Sequence, residues 1–428
     1  MQARGGVMAA SAEEERQGVG PLIHPNAEAS RPLRQQVFER IRAVGSLPRV
    51  QVAKELGVSP ATVTAIAAEL IEAGLIEEVA GPRDADASRG RPPVALGVRP
   101  AAHLVAGVKL SDRQHSAVVV DFAGRRVASA SVPHRAADRG LDDLLAAADR
   151  LIDLVAVQAG VTRDALSAIG LGVPGFVDAS AGLVYWSPIL RERDVPLAAL
   201  ASARLGLPVH IDNDANLVAL AELWFGAGRR LSDFAVVTIE HGVGMGLVIN
   251  HRIYRGARGL GPELGHTKVH LDGALCRCGQ RGCLEAYVAD YALVREATTA
   301  LDLTMREGQS TSVLLESLFD HAKAGNVAAR SIFRRAGRYL AIAIANVVNL
   351  FDPELVILSG ERMRYDYLYA ADTLAELDRL ILPANRPPPR IEVHAWGDLL
   401  WAHGAAALAL AAVTEESLGL TPVREAAQ

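Results

Sequence analysis

All three cysteines of this 428-residue chain fall in one short run, Cys276-Arg-Cys278-Gly-Gln-Arg-Gly-Cys283, with His266 upstream and Glu285 just beyond. Three soft thiolates plus an imidazole make a closed Cys3His donor set. Such a set suits tetrahedral Zn2+ and leaves no ligand position for a catalytic water. The grouping predicts a structural zinc on His266, Cys276, Cys278 and Cys283, against the competing reading of buried or redox thiols. Gly279 and Gly282 let the chain double back between ligands. Glu263 and Glu285 flank the set, so a folded metal loop would fix two acids in place.

Elements must carry that loop, and composition bounds them. Half the residues are hydrophobic and the formal net charge is -5, enough apolar chain for several domains. No cysteine remains for a disulfide framework, which fits a reducing cytoplasm. No apolar run reaches the roughly 18 residues of a membrane span, and the first residues lack a signal-peptide core. Residues 1–29 show no periodicity and are expected to be a disordered tail.

From Arg31 to Arg99, ten Lys/Arg face eight Asp/Glu, a segment charge of about +2 in an otherwise acidic chain. Leu33, Val37, Phe38, Ile41 and Val44 recur at helical spacing, and a second short helix carries Val50, Val52, Ala53 and Leu56. Gly57-Val58-Ser59 makes a tight turn, with Ser59 as N-cap and Pro60 at the first position of a third helix. Two short strands, Leu75–Glu78 and Val94–Val98, enclose a polar loop with Arg89 and Arg91. Residues 30–99 thus read as a winged helix-turn-helix DNA-binding domain. Ser59, Thr62 and Thr64 would approach the major groove, and Arg89 and Arg91 the minor groove. A small helical docking domain is the bland alternative.

Beyond Pro100, strands at 104–110, 116–122 and 126–132 precede a helix at 141–157 and a strand at 169–173. A comparable series begins at Phe234, and an Ala-rich helix at 401–413 closes the chain. Two meanders, each followed by alternating strands and helices, suggest duplicated α/β lobes.

Four runs now align: Leu171-Gly-Val-Pro-Gly-Phe-Val-Asp178, Asp212-Asn-Asp-Ala-Asn216, Gly242-Val-Gly-Met-Gly246 and the cysteine loop ending at Glu285. Over about residues 31–415 the chain resembles the ROK family of sugar kinases and sugar-responsive repressors. The resemblance implies a two-lobed actin-like α/β fold behind the winged helix-turn-helix. Lobe 1 would span 100–215, with the helix at 398–415 returning to it, and lobe 2, with the zinc knuckle, 216–397. It implies a sugar held by Asn213, Asp214, Glu263, His266 and Glu285, with Gly175, Phe176 and Ser187 at looser cleft positions. Carboxylates, an amide and an imidazole match vicinal hydroxyls, which both donate and accept.

Asp214 falls on the family's catalytic base. The first phosphate motif, Asp-x-Gly-Gly-Thr-Lys, falls on Lys109-Leu-Ser-Asp-Arg-Gln114, with both glycines and the leading acid replaced. Glu240-His241 also alter the second phosphate loop, and charged Arg191-Glu-Arg-Asp194 leave the identity of the sugar open. The expectation is therefore no enzyme but a cytoplasmic repressor of carbohydrate-metabolism genes. It would act as a homodimer or tetramer on operator DNA, governed by a sugar or sugar derivative. The rivals are an active sugar kinase with an accessory DNA-binding domain, and a DNA-binding scaffold governed by a partner protein.

Overall fold

The computed structural model describes residues 18–23, 31–81, 94–134, 140–301, 310–360, 363, 365, 371–383, 388–394, 397 and 399–420. The chain divides into two compact units. One comprises Met1–Ser232, Ala257–Leu260 and Asp398–Gln428, and the other Asp233–Gly256 and Gly261–Gly397.

The first unit opens with helix α1 (Leu33–Val44), strand β1 (Ser46–Leu47), and helices α2 (Arg49–Leu56) and α3 (Pro60–Glu72). Strands β2 (Ile76–Ala80) and β3 (Val94–Val98) follow, and the three strands form an antiparallel sheet in the order β1-β3-β2. Gly57 supplies the left-handed turn before α3 at φ 66°. The Ser59 hydroxyl accepts from the Thr62 N–H at 3.1 Å, which caps α3.

A meander of β4 (Leu104–Lys109), β5 (Gln114–Asp121) and β6 (Arg126–Pro133) comes next, then α4 (Leu141–Gln158) and β7 (Leu166–Val173). After the small pair β8 (Phe176–Asp178) and β9 (Leu183–Trp186) come α5 (Leu197–Leu205), β10 (Val209–Asn213) and α6 (Asp214–Phe225). The sheet order is β10-β7-β4-β5-β6, with β7 and β10 parallel to β4. Along β4, Ala106 and Val108 join Leu144, Leu151 and Ile152 of α4 in one apolar cluster.

The second unit repeats this topology with β11 (Phe234–Ile239), β12 (Val243–Ile249) and β13 (Arg252–Ile253) as the meander. Helices α7 (Glu285–Val288), α8 (Asp290–Leu301), α9 (Thr311–Lys323) and α10 (Val327–Phe351) precede β14 (Leu355–Ser359), α11 (Ala371–Leu380) and β15 (Arg390–His394). Its order, β13-β12-β11-β14-β15, mirrors that of the first sheet. The final helix α12 (Leu400–Ser417) packs in the first unit against β4, β7 and α6.

Two expectations change. Within the supposed tail, Gly18–Ile23 is ordered: Val19, Gly20 and Leu22 donate backbone hydrogen bonds to Arg42, Trp224 and Arg229. The unit boundary lies at 232/233 instead of 215/216, because α6 packs along α12 and stays with the first unit.

Candidate functional site

In the first unit the chemistry gathers at the C-terminal ends of the parallel strands, where α/β sheets hold ligands. Sheet register sets Lys109 of β4 beside Gly172 of β7, and Gly172 beside Asp212 of β10. Asp212 is buried, and its Oδ1 accepts from the Asn213 N–H at 2.8 Å and from Asn216 Nδ2 at 2.9 Å. Asn213 caps α6: its Oδ1 accepts from the Ala215 N–H at 2.8 Å, and its Nδ2 donates to the Gly175 carbonyl at 2.6 Å. Gly175 sits at φ 116°, and a Cβ there would lie 2.2 Å from the Trp186 carbonyl oxygen, so the position requires glycine.

Asp214 takes the first position of α6, and its Oδ1 accepts from the Ala215 N–H at 2.9 Å. Desolvation pushes its carboxyl above the ordinary carboxylate range, opposed by the charge of Lys109 and by that N–H. Lys109 is itself buried, with Nζ 3.6 Å from the centroid of the Trp401 ring. The turn beyond it is closed on itself. Ser111 Oγ donates to the Gln114 carbonyl at 2.7 Å, the Ser111 N–H donates to His115 Nδ1 at 3.2 Å, and His115 Nε2 lies 3.1 Å from His134 Nδ1.

In the second unit the four expected metal ligands come together, all their donor atoms within 4.8 Å of one another. Cys276 Sγ is 3.8 Å from His266 Nδ1, and Cys278 Sγ is 3.7 Å from Cys283 Sγ. Tetrahedral zinc with Zn–S near 2.3 Å requires sulfurs about 3.8 Å apart, so spacing and donor softness both fit a metal. Gly279 and Gly282 turn the loop at φ 87° and 75°. Lys268 Nζ lies 2.9 Å from Cys283 Sγ and donates to Gln280 Oε1 at 2.6 Å.

Glu285 is tied to this loop. Its Oε1 lies 3.6 Å from Cys276 Sγ and accepts from the Tyr291 hydroxyl at 3.4 Å. Gly242 leaves it room, since a Cβ there would come within 2.9 Å of Glu285 Oε2. Glu263 precedes the short 3-10 helix Leu264–His266, and its carbonyl accepts from the His266 N–H at 3.0 Å. His241 Nδ1 lies 3.0 Å from Oδ2 of the buried Asp290.

On α3, Ser59 and Thr64 are exposed and Thr62 is half-buried. Ser59 Oγ and Thr62 Oγ1 are 2.8 Å apart, and Thr64 Oγ1 donates to the Pro60 carbonyl at 2.8 Å. Arg89 and Arg91 lie outside the described residues. Sequence reasoning missed Asp212, Lys268 and the Lys109–Trp401 contact. Asp212 alone carried a signal, as the first acid of the Asp212-Asn-Asp run.

The repeated sheets, with Asn213-Asp214 at one sheet end and the Cys3His loop, define a two-lobed α/β fold of the sugar-kinase type. The ROK family pattern matches residues 105–412, and the chain belongs to the ROK family. It is 28% identical over 328 residues to a xylose repressor of Caldicellulosiruptor bescii, covering 76% of this chain and 81% of the relative. A solved ROK family transcriptional regulator, a homologue of the Escherichia coli MLC protein, matches at TM-score 0.75 and 26% identity over 90% of this chain and 97% of its own. The ROK hexokinase of Thermus thermophilus matches at TM-score 0.61 and 31% identity, over 73% of this chain and 99% of its own.

That hexokinase corrects one expectation. An enzyme of this family shares the fold at 31% identity, so the reading of the chain as no enzyme does not stand. No described helix is long and apolar enough to cross a membrane.

Proposed function

We propose that the chain is a sugar-responsive, DNA-binding transcriptional regulator, a repressor of carbohydrate-metabolism genes. One observation carries the reading: the three helices and three-stranded sheet over 33–98 that precede the ROK fold. The match to the regulator structure extends over 90% of the chain, against 73% for the hexokinase. In this reading α1–α3 with β2 and β3 are a winged helix-turn-helix. Ser59, Thr62 and Thr64 face the major groove, Arg89 and Arg91 are the proposed minor-groove contacts, and a homodimer or tetramer matches a palindromic operator.

On the family resemblance, Asn213, Asp214, Glu263, His266 and Glu285 are the residues assigned to the sugar's hydroxyls. His266 Nδ1, Cys276, Cys278 and Cys283 hold a structural zinc, which fixes Glu285 beside Cys276. The first phosphate loop, with its Ser111 and Gln114 groups bonded to one another, favours a signal carried by sugar occupancy. A second reading, sugar phosphorylation, is favoured by Asp214, which keeps the family's base position at the start of α6.

The test begins with thermal shifts of the full chain against D-glucose, D-xylose and N-acetyl-D-glucosamine, with and without MgATP. Affinity for DNA selected from random duplexes is then measured with and without the stabilising sugar. A sugar-dependent change in DNA affinity supports the reading. A chain that selects no DNA refutes it, and sugar-dependent ATP consumption supports the second reading.

A further inference from the structure

Helix α6 starts at the proposed sugar ligands and ends against α1. Its 12 residues span about 18 Å at about 1.5 Å per residue. Every residue from Ala215 to Trp224 is buried. Packed on all sides, such a helix shifts as a rigid body and does not bend locally.

At its far end stands Arg42, in the last turn of α1 and only 5% exposed. Its guanidinium carbon lies 4.4 Å from the Trp224 ring centroid and 5.5 Å from that of Phe38. Arg42 Nη1 donates to Thr414 Oγ1 of α12 at 3.0 Å, and that hydroxyl donates to the Leu410 carbonyl at 2.6 Å. A second arginine reaches the other way: Arg229 Nη2 donates to the Ala43 carbonyl of α1 at 2.5 Å, and its Nε to the Gly20 carbonyl at 3.0 Å. The segment Gly18–Ile23 fills the seam, with Val19 N–H on the Arg42 carbonyl at 3.0 Å and Gly20 N–H on the Trp224 carbonyl at 2.9 Å.

We infer that Arg42 and Arg229 form a latch through which α6 transmits sugar occupancy at Asn213 and Asp214 to the helix that carries the DNA-binding module. The inference rests on the sugar-responsive reading above. A buried guanidinium is tolerated only while its aromatic faces and hydrogen-bond acceptors surround it. Displacing Trp224 along the α6 axis by about 1 Å degrades those contacts together, so the latch has two states, engaged and released. Both sugar and DNA bias that equilibrium, which is what coupling between two sites requires.

The variants are Arg42→Gln and Thr414→Val in the full chain, tested with selected duplex DNA and whichever of D-glucose, D-xylose or N-acetyl-D-glucosamine stabilises the wild type most. Neither residue is a proposed sugar or DNA ligand. The expected result is sugar affinity within about twofold of wild type, and a sugar-induced change in DNA affinity reduced by about fivefold or more. Full retention of that change in both variants overturns the latch. Should Arg42→Gln fail to fold, hydrogen exchange of the wild type decides. Sugar must alter protection of the Val19, Gly20 and Gly45 amides, and unchanged protection alongside an intact DNA response also overturns it. A wild type whose DNA affinity no sugar of the three alters refutes instead the sugar-responsive reading itself.

Discussion

Gly404 of α12 lies against Leu217 of α6 with so little clearance that a Cβ at 404 would stand 1.9 Å from the Leu217 carbonyl oxygen. Gly107 and Gly170 do the same beneath α12, where a Cβ would meet the Ala402 and Ala405 carbonyls at 2.0 and 1.8 Å. Three missing side chains therefore set how closely α6, α12 and the first sheet approach. Gly404→Ala is expected to cost about 1–3 kcal/mol, because backbone atoms yield less readily than a side chain tip. Urea unfolding checks it, and an unchanged midpoint would mean that the two helices separate freely.

The metal loop was legible in the sequence because all its thiols share one short segment. Asn213 was named only through the family resemblance of the Asp212–Asn216 run, and its capping of α6 emerges from the structure. Other features carry no local signal. Strands β10 (Val-His-Ile-Asp-Asn) and β15 (Arg-Ile-Glu-Val-His) alternate polar and apolar residues too briefly to stand out. Arg42 looks like part of a solvated helix face, yet it is buried by Trp224 and Thr414, residues nearly 200 and 400 positions away.

Zinc is expected at one ion per chain on His266, Cys276, Cys278 and Cys283. Cys278→Ser replaces a soft thiolate with a weak ligand, and loss of the ion should loosen Glu285, whose Oε1 lies 3.6 Å from Cys276 Sγ. Elemental analysis of purified protein and thiol titration check this. Absence of zinc together with three titratable thiols in the folded chain would exclude the assignment.

Asp214→Asn should separate stability from binding. Because desolvation holds the folded-state carboxyl above its unfolded range, wild-type Asp214 costs stability once pH rises past the unfolded value and costs nothing below it. The neutral amide should therefore raise Tm near neutral pH, with the gain shrinking as pH falls into the ordinary carboxylate range. Sugar affinity should drop about 10- to 100-fold, the loss of a charge-assisted hydrogen bond of about 1.5–3 kcal/mol. Under the second reading, any sugar-dependent ATP consumption disappears in the same variant. Melting curves across pH and calorimetry with sugar provide the measurements; a Tm gain independent of pH would contradict the desolvated carboxylate.

The DNA-binding assignment makes three substitutions behave differently. Ser59 caps α3 through the Thr62 N–H, so Ser59→Ala should destabilise the module by about 1 kcal/mol, besides any effect on DNA. Thr64 is exposed on the same helix, with its hydroxyl turned back to Pro60, so Thr64→Ala should shift preference among duplex variants through its methyl contact while leaving stability near wild type. Arg91→Ala should weaken all duplexes alike and reduce the slope of log affinity against log salt by about one, the signature of one lost phosphate contact. Binding titrations over a salt series and a small set of operator variants distinguish these outcomes. If all three variants match wild type in affinity, preference and salt slope, then neither α3 nor Arg91 binds DNA.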